Sequence, residues 1–592
     1  LDIVRPANPA YRNATNSVYE NTESPLHFLA RGKHWWHVYE ALPYLLSCSP
    51  DLEARNHNGE TALHIAVKHG QYSTGPFRIQ AARALILAGA DVNAVTSTGM
   101  TCLITGGDDT ESVQLLMAHG AKVTASAVFA AIRKRNVSIL EALLSRENVN
   151  QREIGLRVDE ELLRLEERGD EQHALHHAAT GVPDNWAENK RGQQAHKACT
   201  DMVRLLLAHN VDPYSKFKVR KPDRSSTGPT SWVRSDVDSD VARGGSHNPP
   251  AEQGFAYRTV VHQVLRDHGI ISPFLELQHV DLEHRDGNGQ TILLAACSKS
   301  STFCSYVELA NQEQDHSTPK LLIGILLNRG AYLSARDDHG RNALHTAFHA
   351  VVMDQLYTSV DNFEEPLRLL LSSDASLLNG IDNTGKAPLH YALIALWGKW
   401  SEHGISEHTI TLLLSAGADP ASIDSSTGDN ALHILARLLT WNVACSQLFR
   451  RFLALGLDIN ARNLKGETPL FGLLQGPKID RFCPDEVSLD WSPTQKHAWE
   501  ILEEAGANFW ARDNEGRNML HHAARSVEWA MVYRRLVETG VDPMELDKRQ
   551  RTSLDVAAAC RNEAVLGMFE KEEGIMRQVH ARKGPADDPN LR

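Results

Sequence analysis

Cysteine is scarce and scattered: eight residues, at positions 48, 102, 199, 297, 304, 445, 483 and 560. They form no C-x-x-C pair and none of the short His/Cys spacings of a zinc site, which excludes a disulfide framework and the usual zinc motifs. Reduced thiols in an intracellular protein are expected. Long apolar runs are missing too. The longest, near Leu321 to Leu327, falls far short of the roughly 18 to 20 residues that span a bilayer, and no secretory signal opens the chain. The expectation is no membrane insertion and a cytoplasmic or nuclear location. A glycine-rich phosphate loop, a nucleophile elbow, a kinase signature and His-Glu-x-x-His are all absent. That leaves no catalytic residue, no cofactor and no metal to name, although triads and carboxylate pairs assemble from distant positions that one sequence does not expose. An excess of positive charge is lacking as well. With 61 Lys and Arg against 74 Asp and Glu the net charge is -13, which excludes general nucleic-acid binding and leaves room only for a local basic strip.

What the chain has in abundance is repetition. A cassette of Asp/Asn, two residues, Gly, one residue, Thr/Asn/Ala, Ala/Pro, Leu and His occurs at Asn56 to His64, Asp337 to His345 and Asp382 to His390, and recurs up to His521. A Leu-Leu pair follows, as at Leu115-Leu116, Leu326-Leu327 and Leu413-Leu414, with Ile501-Leu502 as a variant. Gly89, Gly120, Gly330, Gly417, Gly456, Gly506 and Gly540 come next, where a left-handed helix C-terminus is wanted. Ser24-Pro25 and Thr468-Pro469 place a side-chain oxygen at an N-cap and a pre-set φ at the first helical position. Leu520 with Ala523 and Ala524 gives a narrow apolar stripe that lets helices approach closely.

Two antiparallel helices and a projecting turn, repeated at about 33 residues, are similar to the ankyrin unit. The resemblance implies an all-α solenoid of helix-turn-helix units with projecting fingers. About thirteen units are expected, starting near residues 24, 51, 91, 122, 149, 211, 280, 332, 377, 420, 459, 509 and 543. The array would run over 24–574, with an N-terminal flank at 1–23 and a C-terminal tail at 575–592. Since the chain opens on Leu1 rather than on a methionine, it is expected to be a piece of a longer one. Insertions between paired helices are expected at 180–198, 298–318, 349–363 and 476–496. The largest, at 214–255, is Ser/Pro/Gly-rich and mobile, with a basic half (Lys216, Lys218, Arg220, Lys221, Arg224) and an acidic half (Asp236, Asp238, Asp240).

Histidine numbers 29, and the resemblance accounts for many of them. His27, His64, His176, His262, His345, His390, His433 and His521 hold the motif position, where ankyrin imidazoles turn inward and hydrogen-bond backbone between units. The third, fourth, seventh and eleventh units depart from the motif, the last through Phe471, and must lose or replace those bonds. His345 with His349, and His173 with His177, have the i, i+4 spacing of a metal pair but no acidic partner in a zinc-hydrolase pattern. The Arg ahead of each finger, at Arg55, Arg285, Arg336, Arg462 and Arg512, is read as structural. Candidate partner contacts are Trp35, Trp36, Trp186, Trp397, Trp400, Trp441 and Trp529, each seven to ten residues after a motif His, with core packing as the competing role. The finger-tip residues His57, His339 and Asn514 join them.

The functional expectation is a scaffold or adaptor, monomeric alone, that holds a protein or peptide segment on its concave face and fingers. Two alternatives stand beside it: an unusual enzyme or small-molecule binder whose Trp/His-lined pocket is closed by the inter-helical loops, and the sensing array of a larger multidomain protein.

Overall fold

The computed structural model describes residues 24–32, 34, 37–68, 77–107, 109–145, 164–167, 170–181, 190–220, 255–267, 269–277, 280–299, 305–307, 320–353, 363–396, 405–439, 445–475, 493–569. The chain is mostly helical and divides into two compact units.

In the first unit, short helices that open on the motif alternate with partner helices. Pro25–Ala30 is followed by Leu42–Ser47, Ala62–Val67 by Arg78–Leu87, Cys102–Thr105 by Thr110–Ala118, Ala125–Arg133 by Val137–Leu144, and Ala174–Thr180 by Lys190–Ala208. The second unit repeats the scheme from Ile292–Cys297 and Leu322–Asn328 through Ala431–Leu438 and Cys445–Ala454 to Ser553–Ala559 and Glu563–Leu566. Each pair closes on its own apolar stripe: Leu63, Ala66 and Leu85 are fully buried, as are Leu520, Ala523, Ala524 and Leu536. Small residues on the first helix admit its neighbour at close range. The seven glycines that follow the second helices all have positive φ, and the next residue's N–H returns to the helix, as from Ala331 to the Leu326 carbonyl at 3.1 Å.

The described residues are not purely α-helical. Arg164–Glu167 pairs antiparallel with Asp170–His173, and Lys216–Arg220 with Phe255–Thr259; Tyr306–Val307 and Lys320–Leu321 are two-residue strands. The second pairing corrects the limits of the large insertion. Its ends form a hairpin, because Lys216-Phe217-Lys218-Val219-Arg220 alternates polar and apolar residues with the period of a strand. Helix also reaches into three of the expected loops, at Lys190–Ala208, Ala343–Met353 and Pro493–Glu504. The flank 1–23, the tail 575–592 and the stretch 221–254 lie outside the described residues.

The helix starts show how the motif works. Asn430 and Asn518 cap helix N–H groups with their side chains. Ser24 and Thr468 depart from that expectation. The Ser24 hydroxyl engages Nδ1 of His27 at 2.8 Å instead, and the buried Thr468 hydroxyl, in a repeat with Phe471 at the histidine position, has no hydrogen-bond partner among the described residues.

Fingers approach so closely that side chains at their turns are excluded. Gly428 has φ +76°, and a Cβ there would meet the Leu464 nitrogen at 2.5 Å, the same N–H that donates to the Thr427 carbonyl at 2.9 Å. Gly428→Ala should therefore lose about 3 kcal/mol, through left-handed strain and separation of the two fingers. Gly417→Ala has positive φ but open space around its Cβ, and should lose only about 1 kcal/mol. Equal losses in chemical denaturation would contradict the close approach.

Candidate partner-binding surface

The fingers are built by one local device. The first residue, Asp or Asn, turns its carboxylate or amide oxygen back onto two backbone N–H groups of its own turn. Asp337 accepts from His339 at 3.0 Å and Arg341 at 2.9 Å, Asn463 from Lys465 and Glu467 at 2.9 Å each, and Asp513 from Glu515 and Arg517 at 2.9 and 2.8 Å. Such side-chain turns favour these residue types at this position. The loop presents its tip while its own donors stay satisfied.

Within each unit, neighbouring repeats are joined by three latches, all of them side chain to main chain. The first is the motif histidine. Nε2 donates to the finger carbonyl of the following repeat: His27 to Glu60 at 2.9 Å, His64 to Met100 at 3.2 Å, His345 to Lys386 at 2.9 Å, His433 to Glu467 at 3.1 Å and His521 to Arg551 at 3.0 Å. The cap-residue N–H points at Nδ1 of the same ring, at 3.3 Å in His64, His345, His433 and His521. That arrangement keeps the ring neutral with its proton on Nε2. Burial, opposed by the backbone bond, holds these four well below the ordinary imidazole value, and His345 falls to about 4.

The second latch is the arginine ahead of the finger, which behaves as structural. Arg55, Arg285, Arg336 and Arg462 each reach the carbonyl of their own finger glycine and a carbonyl of the next repeat, at Val95, Arg336, Ile381 and Arg512 respectively. Arg512 instead pairs with Glu545 at 2.7 Å. The third latch is an asparagine three residues before the finger. Asn379 accepts from the Asp419 N–H at 2.8 Å and donates to the Gly417 carbonyl at 3.0 Å; Asn93 and Asn460 do the same in their repeats.

The pattern has exceptions: the buried Nε2 of His390 has no hydrogen-bond partner among the described residues, and His176 departs further. It is half-buried, and its Nε2 meets the Asp267 carboxylate at 2.8 Å rather than a backbone carbonyl. Its cap position is taken by His173, which burial and the charge of Arg164 push down to about 3. The histidines of the two i, i+4 pairs are engaged in the repeat framework to different degrees. Both nitrogens of His345 are committed, and His173 is a buried cap whose Nδ1 accepts the Leu175 N–H.

In the second unit a buried polar chain crosses the finger bases, and nothing in the local sequence announces it. Lys386, 2% exposed, lies 3.6 Å from Asp424. Asp429 binds Arg437 at 2.7 Å and Asn463 at 2.8 Å, and Glu467 accepts from Gln475 at 2.9 Å. Oxygen and nitrogen atoms of Glu467, Asp513 and His522 lie within 4.8 Å of one another. Asp513 accepts from Arg517 at 2.7 Å and meets His522 at 3.0 Å, while Glu467 is held by Gln475 and Asn463. Burial raises the Asp513 carboxyl, but the bonds from His522 and Arg517 and their charges outweigh it and hold the group at about 2. A cation here would have to displace a guanidinium.

Of the candidate contacts, Trp35, Trp36, Trp186, Trp397, Trp400 and Trp441 lie outside the described residues. Trp529 is buried in the turn Val527–Trp529 and joins the core. His57 is exposed at its tip and His339 is half-buried. Asn514 is exposed, but its side-chain amide donates to the Leu464 carbonyl at 2.8 Å and its N–H to Lys465 at 2.8 Å, so it stitches two tips together.

The residue that sequence reasoning passed over is Trp510. It stands three residues before its finger Asp513, the place held by Asn93, Asn379 and Asn460 in other repeats, and its indole is 57% exposed. Aligning the third latch would have marked it as an aromatic at a place held elsewhere by residues such as Glu53, Asn93, Glu283, Asn379 and Asn460.

No helix among the described residues is long and apolar enough to cross a membrane. A family model of the ankyrin repeat matches residues 58–97, the stretch that holds the His64 latch and joins the Asn58 and Ser97 tips. The chain carries an ankyrin repeat.

Proposed function

We propose that this protein is a non-enzymatic interaction scaffold: an ankyrin solenoid of about thirteen repeats over residues 24–574 that holds a segment of a partner protein along its inner helices and finger tips. Ankyrin repeats generally mediate protein binding, and a match to one of them at 58–97 supports the reading. The observation that carries it is the division of labour within each finger. Latches consume the base of the finger in bonds to main-chain carbonyls, while tip positions such as His57, Lys465 and Arg549 are exposed and chemically varied. Some tip residues, Asn383 and Asn514 among them, bond the neighbouring tip, but positions outside the latches are ones that can be fitted to a partner. No disulfide joins the six described cysteines, in keeping with the proposed cytoplasmic or nuclear location. The scaffold is proposed to be monomeric on its own.

The test is affinity capture from native extract with the full chain as bait, followed by titration of each captured protein. A partner bound at micromolar or tighter affinity, and released by alanine substitutions at exposed tips, is the expected result. Capture of nothing above background, or turnover of a small metabolite by the purified chain, would overturn the scaffold reading.

A further inference from the structure

Charge is not spread evenly over the fingers of the second unit. The tips Gly287-Asn288, Asp338-His339, Asn383-Thr384 and Ser425 to Thr427 contain neither Lys nor Arg. From Arg462 onward the character changes. At the later tips Lys465, Lys548 and Arg549 are exposed beside the acidic tip residue Glu515; Arg462 and Arg512, also exposed, hold the place that Arg285 and Arg336 hold in the earlier fingers, and Arg512 is paired with Glu545. The whole chain carries a net charge of -13, so this is a basic strip on an acidic protein. Hydrogen bonds fix it as one continuous edge. The Asn514 N–H donates to the Lys465 carbonyl at 2.8 Å, the Lys548 N–H to the Glu515 carbonyl at 2.9 Å, and the Arg462 guanidinium reaches the Arg512 carbonyl.

Two large apolar side chains stand on the same edge. Leu464, at the tip, is 64% exposed, and Trp510 is 57% exposed. Trp510 sits where the asparagine latch would bind the following repeat, so this repeat gives up a joint and gains an outward indole. Large amphipathic aromatics are the residues that most often anchor a bound protein.

Resting on the scaffold reading above, we propose that the finger edge from Arg462 to Arg549 docks an acidic segment of a partner protein that carries leucine-like side chains. The carboxylates meet the Lys and Arg side chains, and the apolar groups cover Leu464 and Trp510. A nucleic-acid strand matches the charge but leaves the apolar Leu464 uncovered.

The experiment measures fluorescence anisotropy with the full chain and a labelled peptide of roughly twelve residues alternating Glu and Leu, at about 150 mM salt. Controls are a poly-Glu peptide and a single-stranded oligodeoxythymidine of equal charge. The Glu-Leu peptide should bind best. The charge reversal Lys465→Glu, Lys548→Glu, Arg549→Glu should weaken it about tenfold or more. Trp510→Asn, which puts the residue of the Asn93, Asn379 and Asn460 latches at this place and removes the indole, should weaken it about fivefold. Circular dichroism of both variants should match the unaltered chain, since every changed side chain is exposed. No binding by the unaltered chain, affinities within about twofold for both variants, or an oligonucleotide or poly-Glu peptide bound as tightly as the Glu-Leu peptide would each overturn the proposal. A partner captured from extract equally well by the charge-reversed chain would overturn this docking edge while leaving the scaffold reading intact.

Discussion

Acidification from pH 7 to pH 4 should melt this protein, with the loss beginning near pH 6.5. The cause is the set of buried neutral latches. An unfolded imidazole takes up its proton near 6.5, whereas folded His345 does so only near 4, because burial outweighs the help of the Lys386 carbonyl and Asp382. Asn342 Oδ1 lies 2.7 Å from Nδ1 and would receive an added proton, yet the ring is 0% exposed and desolvation wins. A depressed folded value means that the stabilisation is complete above pH 6.5 and drains away as the pH falls towards 4. For His345 alone the difference amounts to about 3 kcal/mol. His64, His390, His433 and His521 shift in the same direction, and His173 falls to about 3. Total stabilities of domains are about 5–15 kcal/mol, so several such sites together are enough to unfold the chain. Thermal melts followed by circular dichroism at half-unit steps of pH would show it. A melting temperature that stays flat between pH 7 and 5 would refute the neutral latches.

Asp429→Ala should cost about 3 to 5 kcal/mol, more than any other single substitution in the polar chain of the second unit. Asp429 is 2% exposed and binds both Arg437, eight residues on and only 15% exposed in its side chain, and Asn463 of the following repeat. Burial pushes its carboxyl up, but the Arg437 charge and the Asn463 bond prevail and hold it below the ordinary value. Removing the carboxylate takes its counter-charge from a mostly buried guanidinium and its acceptor from an amide, and a buried ion loses far more when one partner is deleted than the pair contributes when intact. Asp429→Asn keeps an acceptor for Asn463 and should lose about half as much. Replacing Asp429 and Arg437 together with leucine and methionine should recover most of the loss. Urea denaturation of the three variants measures all of this. An alanine variant within about 1 kcal/mol of the parent would mean that the pair is weak.

Much of this was legible because it is local. The motif ties Thr61 to His64 or Asn430 to His433 within three residues, and both the helix start and the inward ring follow from that spacing. The structural reading of Arg55, Arg285, Arg336 and Arg462 held for a similar reason: each grips the glycine carbonyl four residues on. Other features had no local signature. Asp429 finds Arg437 across eight residues and Asn463 across thirty-four, separations that carry no period. His176 has the motif spacing, but its partner Asp267 is ninety-one residues away. At Lys216 to Arg220 the basic charge masked a two-residue alternation, so the ends of the large insertion read as loop when they are strands. Trp510 was visible only by comparison with Asn93, Asn379 and Asn460, which form the asparagine latch from the same place.

Apart from Arg512 and His176, the latches described end on main-chain atoms, and that has an evolutionary corollary. A carbonyl is the same group whatever residue bears it, so His433 would find its acceptor in almost any successor whose finger has the right backbone path. Whole repeats can then be duplicated, lost or recombined in the gene without re-matching side chains at every seam. Links such as Asp429 to Asn463 are the exception, for there both sides must change together, and such a seam records which two neighbours have travelled as a pair.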